Sequence, residues 1–536
     1  MSKRLGALVL ACGLYGGVAG AQAVETPKTP NSSTPASGAP KGVDTPPVLQ
    51  SGQTSIAVDG KLTDAQKRDI EASKEQIFQF VSKDSGLAIH TPVKLVFATR
   101  DGVNRELRTK FDEDKGNKRM ERSELVLKKF GMLDRDFQLR PFLLSLLTEQ
   151  IAGYYDNKTK QMTLLDWVPV DEQKPVLAHE LTHALQDQRM NLRKWQDPEP
   201  DGLAKNVKED NEHIATDEAG TAREAVLEGQ AMVTFADYYL DTHGFQGKTL
   251  KDVPQMATML AGGAGDSSDS PILSRAPLVL QQAMLFPYRE GMLFEASVVS
   301  QKGVQRGFAG VLDAPPSASA QVLHPDTYLA KALVPVLHLP DLHPTLKAKG
   351  WLPYDVGVMG ELDVRMTAEL FGGRPLAEAL APNWAGGVYL AAQRKDASEA
   401  DKKSTKSIGL LYLSHWKNES SAQSFFTVFD QEFPRQYGGL QRRQAEEKDE
   451  NERVYSTREG DLLLVRAGSS VWVSEGFDLP TARAMREQVE AANPAAGGPM
   501  MQAKRDARDE MRGASGPVTG LASWIGEFGM MKAALK

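Results

Sequence analysis

The segment "VLAHELTHALQDQ", residues 176–188, restricts the fold of this chain more than any other. His179 and His183 stand four residues apart, which on an α-helix is roughly 40° around the axis, so both imidazoles project from one face. Leu177, Leu181 and Leu185 form a separate apolar stripe. One side of this helix is therefore committed to a core and the neighbouring side to chemistry. Any fold the chain adopts must cover the stripe and also bring a second element to the histidines.

The H-E-x-x-H spacing lets two imidazoles reach one ion, and Glu180 projects beside them, where a carboxylate can take a proton from a metal-activated water. A catalytic zinc needs a third protein ligand and one open position. No downstream histidine stands at a spacing that would supply it. The run "EAVLEGQAMVTF", 224–235, does offer a candidate. Only Glu224 and Glu228 in it are charged, and an unpaired carboxylate in such a helix costs several kcal/mol or takes up a proton. A metal ion would pair with Glu228. Glu224, one turn earlier on the same face, is the rival ligand, or an acceptor for the N–H of a ligating histidine. Gly229 would let a neighbouring helix approach closely. Gln186 and Asp187, a turn beyond His183, are candidate outer-shell residues. An oxyanion donor opposite the metal could come from His324, Tyr288, Arg289 or Tyr328.

These residues are arranged like those of the gluzincin metallopeptidases, the thermolysin-like branch of the zincins. The resemblance implies that His179, His183 and Glu228 bind one Zn2+ per chain, with Glu180 as general base in peptide-bond hydrolysis. It also implies a small sheet whose outer strand pairs with extended substrate. The resemblance covers residues 150–240. It departs one turn after Glu228, where those enzymes carry an aspartate and this chain has Met232, and their transition-state histidine has no counterpart here. In texture the chain is closer to a group of prokaryotic proteins sharing "HELTHALQDQ", "EGxA", "FPYxxGxxF" and "LHP", found here at 179–188, 228–231, 286–294 and 323–325.

Other chemistries find no support. The sole cysteine is Cys12, and neither a G-x-S-x-G elbow nor a phosphate loop occurs. A net charge of −7 and a pI near 5.8 argue against a nucleic-acid surface. Lys3 and Arg4, the apolar run from Leu5 to Val18, and Ala21-Gln22-Ala23 read as an export signal, residues 1–23. Lipidation of Cys12 is the alternative reading of the same segment. The expected location is periplasmic or secreted, at a bacterial cell envelope, with no transmembrane span after removal of the signal.

The sequence predicts an α+β protein in several parts. Residues 24–56 are a Pro/Ser/Thr-rich linker, and 57–345 form a zincin-like domain of small sheet, active-site helix and mostly helical second half. Residues 346–490 form a smaller C-terminal α+β domain, and 491–536 a flexible tail. Thr63 is expected to cap a helix through Val81, residues 153–166 to form a hairpin, and Pro175 to occupy the first turn of the helix through Gln188. The stretch 191–215 reads as a polar loop, with a helix starting near Thr216, and 357–380 as helical. Two functions fit: a zinc metallopeptidase acting on a peptide or protein, or a non-catalytic envelope binding or assembly protein that keeps the fold.

Overall fold

The computed structural model of the chain describes residues 61–113, 117–168, 170–195, 205–263, 271–494 and 501–502; the expected signal and linker and nearly all of the tail lie outside them. The fold is mixed α and β. Helix α1, Asp64–Ser85, begins with a reciprocal Thr63–Gln66 capping box and ends at Gly86, whose φ of 68° is left-handed. Its face of Ile70, Ile77, Phe78 and Val81 is buried. Strand β1, Lys94–Ala98, follows, then helices over Arg100–Glu113 and α2, Asn117–Lys129.

The expected hairpin is present as β2, Gly153–Asp156, and β3, Gln161–Leu165. The Asp156 carboxylate accepts from the backbone N–H groups of Lys158 and Thr159 at 2.8 and 3.2 Å, and Lys160 takes the left-handed conformation that closes the turn. In the three-stranded sheet β3 is central, parallel to β1 and antiparallel to β2.

Helix α3, Val170–Met190, carries the two histidines. It starts five residues before Pro175, which lies inside it rather than in its first turn. The proline removes a single N–H near the helix start, where the turns carrying the histidines do not feel the loss. The expected loop at 191–215 contains a helix, α4, Val207–Thr216, capped by the Asn206 side chain at the N–H groups of Lys208 and Glu209. Helix α5, Ala219–Thr242, therefore begins after Asp217 and Glu218, which a start near Thr216 places in its first turn as complements to the helix dipole and which form the corner between the two helices. Helices α6, Leu278–Lys302, and α7, Val304–Asp313, pack beside α5.

The remainder is built on a seven-stranded antiparallel sheet. Its strands are β4, Trp351–Gly357; β5, Trp384–Arg394; β6, Ile408–Trp416; β7, Gln441–Arg442; β8, Glu452–Thr457; β9, Gly460–Ala467; and β10, Ser470–Glu475. They lie in the order β4-β5-β6-β10-β9-β8-β7. The β8-β9-β10 meander follows from the sequence 454–477, where apolar and polar residues alternate with two turn signals. All residues of β6 and β10 are buried, so the centre of this sheet is covered on both faces. The expected helix over 357–380 is two helices, α8, Glu361–Gly372, and a shorter one over Arg374–Leu380, broken where Gly373 takes φ 82°.

The two halves share one hydrophobic core. Phe130, just after α2, meets Tyr389 and Tyr412 of the large sheet edge to face. Lys129 is fully buried and pairs with Glu459 at 3.0 Å, and Arg135 pairs with the same carboxylate. At the α4–α5 corner the Asp217 carboxylate accepts from the backbone N–H of Val358 at 2.6 Å, and Glu218 lies against Gly360 so closely that a Cβ there would stand 1.8 Å from its Oε1. The large sheet thus holds the start of α5. Among the described residues no helix is long and apolar enough to cross a membrane.

Candidate metal centre

Two helices that cross α5 set the position of Glu228. On one side α3 presents its histidines, with Leu177, Leu181 and Leu185 fully buried as the stripe requires. On the other side α6 lies against α5 at two glycines. A Cβ on Gly229 would stand 2.3 Å from the carbonyl carbon of Gly291, and one on Gly291 would stand 2.2 Å from the carbonyl oxygen of Ala225. Real Cβ atoms do not come that close, so this crossing requires glycine in both helices.

His179 Nε2 lies 3.1 Å from Glu228 Oε2, His183 Nε2 lies 3.5 Å from the same oxygen, and the two Nε2 atoms are 3.2 Å apart. Ligands at roughly 2.0–2.1 Å from a tetrahedral ion are separated from one another by roughly 3.3 Å, close to this triangle. The donor set itself, two imidazole nitrogens and a carboxylate, suits a divalent transition metal. All three residues are buried. Among the described residues they are the group of histidines and carboxylates disposed to hold a metal ion. Burial pushes the His179 imidazole below its ordinary value despite the opposing charge of Glu228, which keeps it in the neutral form a ligand requires.

Several neighbours surround this triangle. Glu180 is 5% exposed, its Oε2 has no hydrogen-bond partner, and its charge acts on both His179 and Tyr288. A buried carboxylate oxygen left without a donor, beside three prospective ligands, is available to a water or substrate proton. Tyr288 stacks on His179, with ring centroids 6.3 Å apart and planes 18° apart, and its hydroxyl is hydrogen-bonded to Glu228. Burial, then the charges of Glu228, Glu224 and Glu180, push the phenol well above its ordinary value, so it remains a proton donor. Glu224 is buried one turn before Glu228 and within electrostatic reach of Tyr288.

The two outer-shell candidates separate. Gln186 Oε1 is 2.8 Å from His183 Nδ1, so Gln186 touches a prospective ligand directly. Asp187 turns to the hairpin: it accepts from the Tyr155 hydroxyl at 2.8 Å, from Lys160 Nζ at 2.5 Å and from the Leu192 N–H at 3.0 Å. It fixes α3 to the small sheet.

Three of the four oxyanion candidates are engaged in other contacts. His324 Nε2 pairs with Glu361 at 2.6 Å, and Glu361 lies within electrostatic reach of Glu218 at the start of α5. Ten residues, roughly 15 Å of helix rise, separate Glu218 from Glu228. The Tyr328 hydroxyl donates to the Ala314 carbonyl at 2.8 Å and accepts from Arg306. Arg289 lies among Glu290, Arg365, Arg374 and Glu369. Only Tyr288 is brought to the centre.

Sequence reasoning missed Gln230, whose amide meets Gln186 at 3.0 Å, and Gly291, the partner of Gly229. Both stand inside the "EGQA" and "FPYREGMLF" segments, where an amide two residues from a ligand and a second helical glycine were the available signals. No protein-family model matches the chain, and no curated protein or solved structure does so.

Proposed function

We propose that the protein is a zinc-dependent metallopeptidase of gluzincin type, exported to the periplasm or the exterior by a signal in residues 1–23. The observation that carries this reading is the Glu180 carboxylate, buried and with an unpartnered oxygen, beside the His179–His183–Glu228 triangle. A purely structural site has no use for it and would fill its fourth position with another ligand. When bound, the zinc supplies Lewis-acid activation of a water molecule and of the scissile carbonyl. Glu180 accepts the proton of the attacking water and delivers it to the departing amine nitrogen. Tyr288 keeps its proton and, donating it in a hydrogen bond to Glu228, orients that carboxylate. Substrate is a peptide or an unstructured segment of protein.

The burial of the whole set favours the second reading, a binding or assembly protein with a closed centre: His179, His183, Glu228 and Glu180 are each no more than 5% exposed. One experiment separates the two. Purified protein should contain about one zinc per chain, and it should cleave an unfolded protein or a broad peptide library. Glu180→Gln should retain the metal and lose cleavage. Wild type that binds zinc yet cleaves nothing supports the binding protein, and wild type that holds no zinc even after loading ends both metal readings.

A further inference from the structure

The hydrogen-bond acceptors around Gln186 and Gln230 run in one direction. Gln230 Nε2 donates to the backbone carbonyls of Phe308 at 3.0 Å and Gly307 at 3.3 Å, both in α7, and the Glu295 carboxyl lies on the same side. Its Oε1 then faces Gln186 and accepts from Gln186 Nε2 at 3.0 Å. The same Nε2 donates to the Leu227 carbonyl at 3.0 Å, which leaves Gln186 Oε1 pointing at His183 Nδ1, 2.8 Å away.

We propose that Gln186 and Gln230 are an amide relay through which the α7 carbonyls fix the tautomer of His183. Backbone carbonyls can only accept. If Gln230 turned over, its oxygen would face the Gly307 and Phe308 carbonyls and its NH2 would face that of Gln186. If Gln186 turned as well, its oxygen would face Leu227. Each turn would strand buried polar groups against groups of the same kind, so both amides keep one orientation. The oxygen presented to His183 demands a proton on Nδ1, and Nε2 is left with its lone pair turned to Glu228 and His179. His179 has no such device: its Nδ1 is buried without a hydrogen-bond partner, and the Tyr288 ring holds its plane. The two residues are positioning residues, acting through His183. The proposal rests on the metal centre and not on peptidase activity.

The test uses histidine labelled with 15N in the metal-free, full-length protein, with zinc affinity measured separately by chelator competition. Wild-type His183 should appear as a single tautomer protonated at Nδ1. Gln186→Leu should mix the tautomers and weaken zinc about ten- to a hundredfold. Gln230→Leu, which touches no ligand, should also mix them with a smaller loss of affinity, and the double variant should match Gln186→Leu alone. Gln230→Met repeats the measurement should the leucine variant not fold. A wild-type His183 protonated at Nε2, an unchanged tautomer in the Gln230 variants, or losses that add in the double variant would each overturn the relay. If wild type binds no zinc, the peptidase reading falls while the tautomer measurement still decides the relay.

Discussion

Gly229 and Gly291 meet backbone to backbone, and the residue before Gly229 is the prospective carboxylate ligand. The closeness of α6 to α5 therefore sets the distance between Glu228 and the Tyr288 ring. Gly229→Ala should force these helices apart, cost about 1–3 kcal/mol of stability and weaken metal binding. Gly262→Ala is the control: its Cβ would meet nothing within 4 Å, on an exposed position of the helix Pro254–Gly263, so it should be neutral or slightly stabilising. Urea denaturation of both variants checks this. A Gly229→Ala protein as stable as wild type would mean that the helices adjust without loss.

Tyr288→Phe keeps the ring on His179 and removes the hydroxyl that donates to Glu228. Zinc affinity should fall by about ten- to a hundredfold, the worth of one hydrogen bond to a charged group. Chelator competition measures it, and unchanged affinity would show that the phenol does not orient Glu228.

Three prospective ligands within 3.1–3.5 Å of one another are held there by packing, so metal should bind the folded protein and not the unfolded chain. Free zinc at a hundred times Kd should add about 2.7 kcal/mol of stability, and chelation should remove it. Thermal unfolding with and without chelator tests this. The zinc-dependent shift should vanish in Glu228→Ala.

Burial pushes the Glu295 carboxyl up to about 8 against an ordinary 4.5, so the folded state holds its proton where the unfolded chain has released it. The stability this group contributes is fully present below pH 4.5 and is lost as pH rises toward 8, at no more than about 1.4 kcal/mol per pH unit. Glu295→Gln should flatten that slope and gain on wild type between pH 5 and pH 8. Denaturant titrations at the two pH values that differ from wild type by the same amount would refute it.

The sequence pointed to the residues that gather at the centre before it showed how they would be arranged. The H-E-x-x-H spacing, the Leu177–Leu181–Leu185 stripe and a carboxylate in an apolar helix are all local patterns, and helix periodicity turns each into a direction in space. The Thr63 cap, the 153–166 hairpin and the β8-β9-β10 meander were legible for the same reason. Less visible were helix limits set by distant partners. Helix α4 lay hidden in a charged stretch because its cap is one asparagine and its buried face is short. Asp217 and Glu218 resembled first-turn acids complementing a helix dipole, yet they bond across the fold to Val358 and Ser319.

The choice among oxyanion candidates lay wholly beyond sequence. His324, Tyr288, Arg289 and Tyr328 have equally suitable chemistry, and only the crossing of α6 over α5 brings one of them to Glu228. The relay from Gly307 and Phe308 is of the same kind, since two backbone carbonyls have no sequence signature at all. The sequence alone determined the two long helices of the centre, their apolar faces and the donor types, because those depend on neighbours within a few positions. The tertiary structure decided which donors meet, because that depends on how closely two glycines allow two helices to approach.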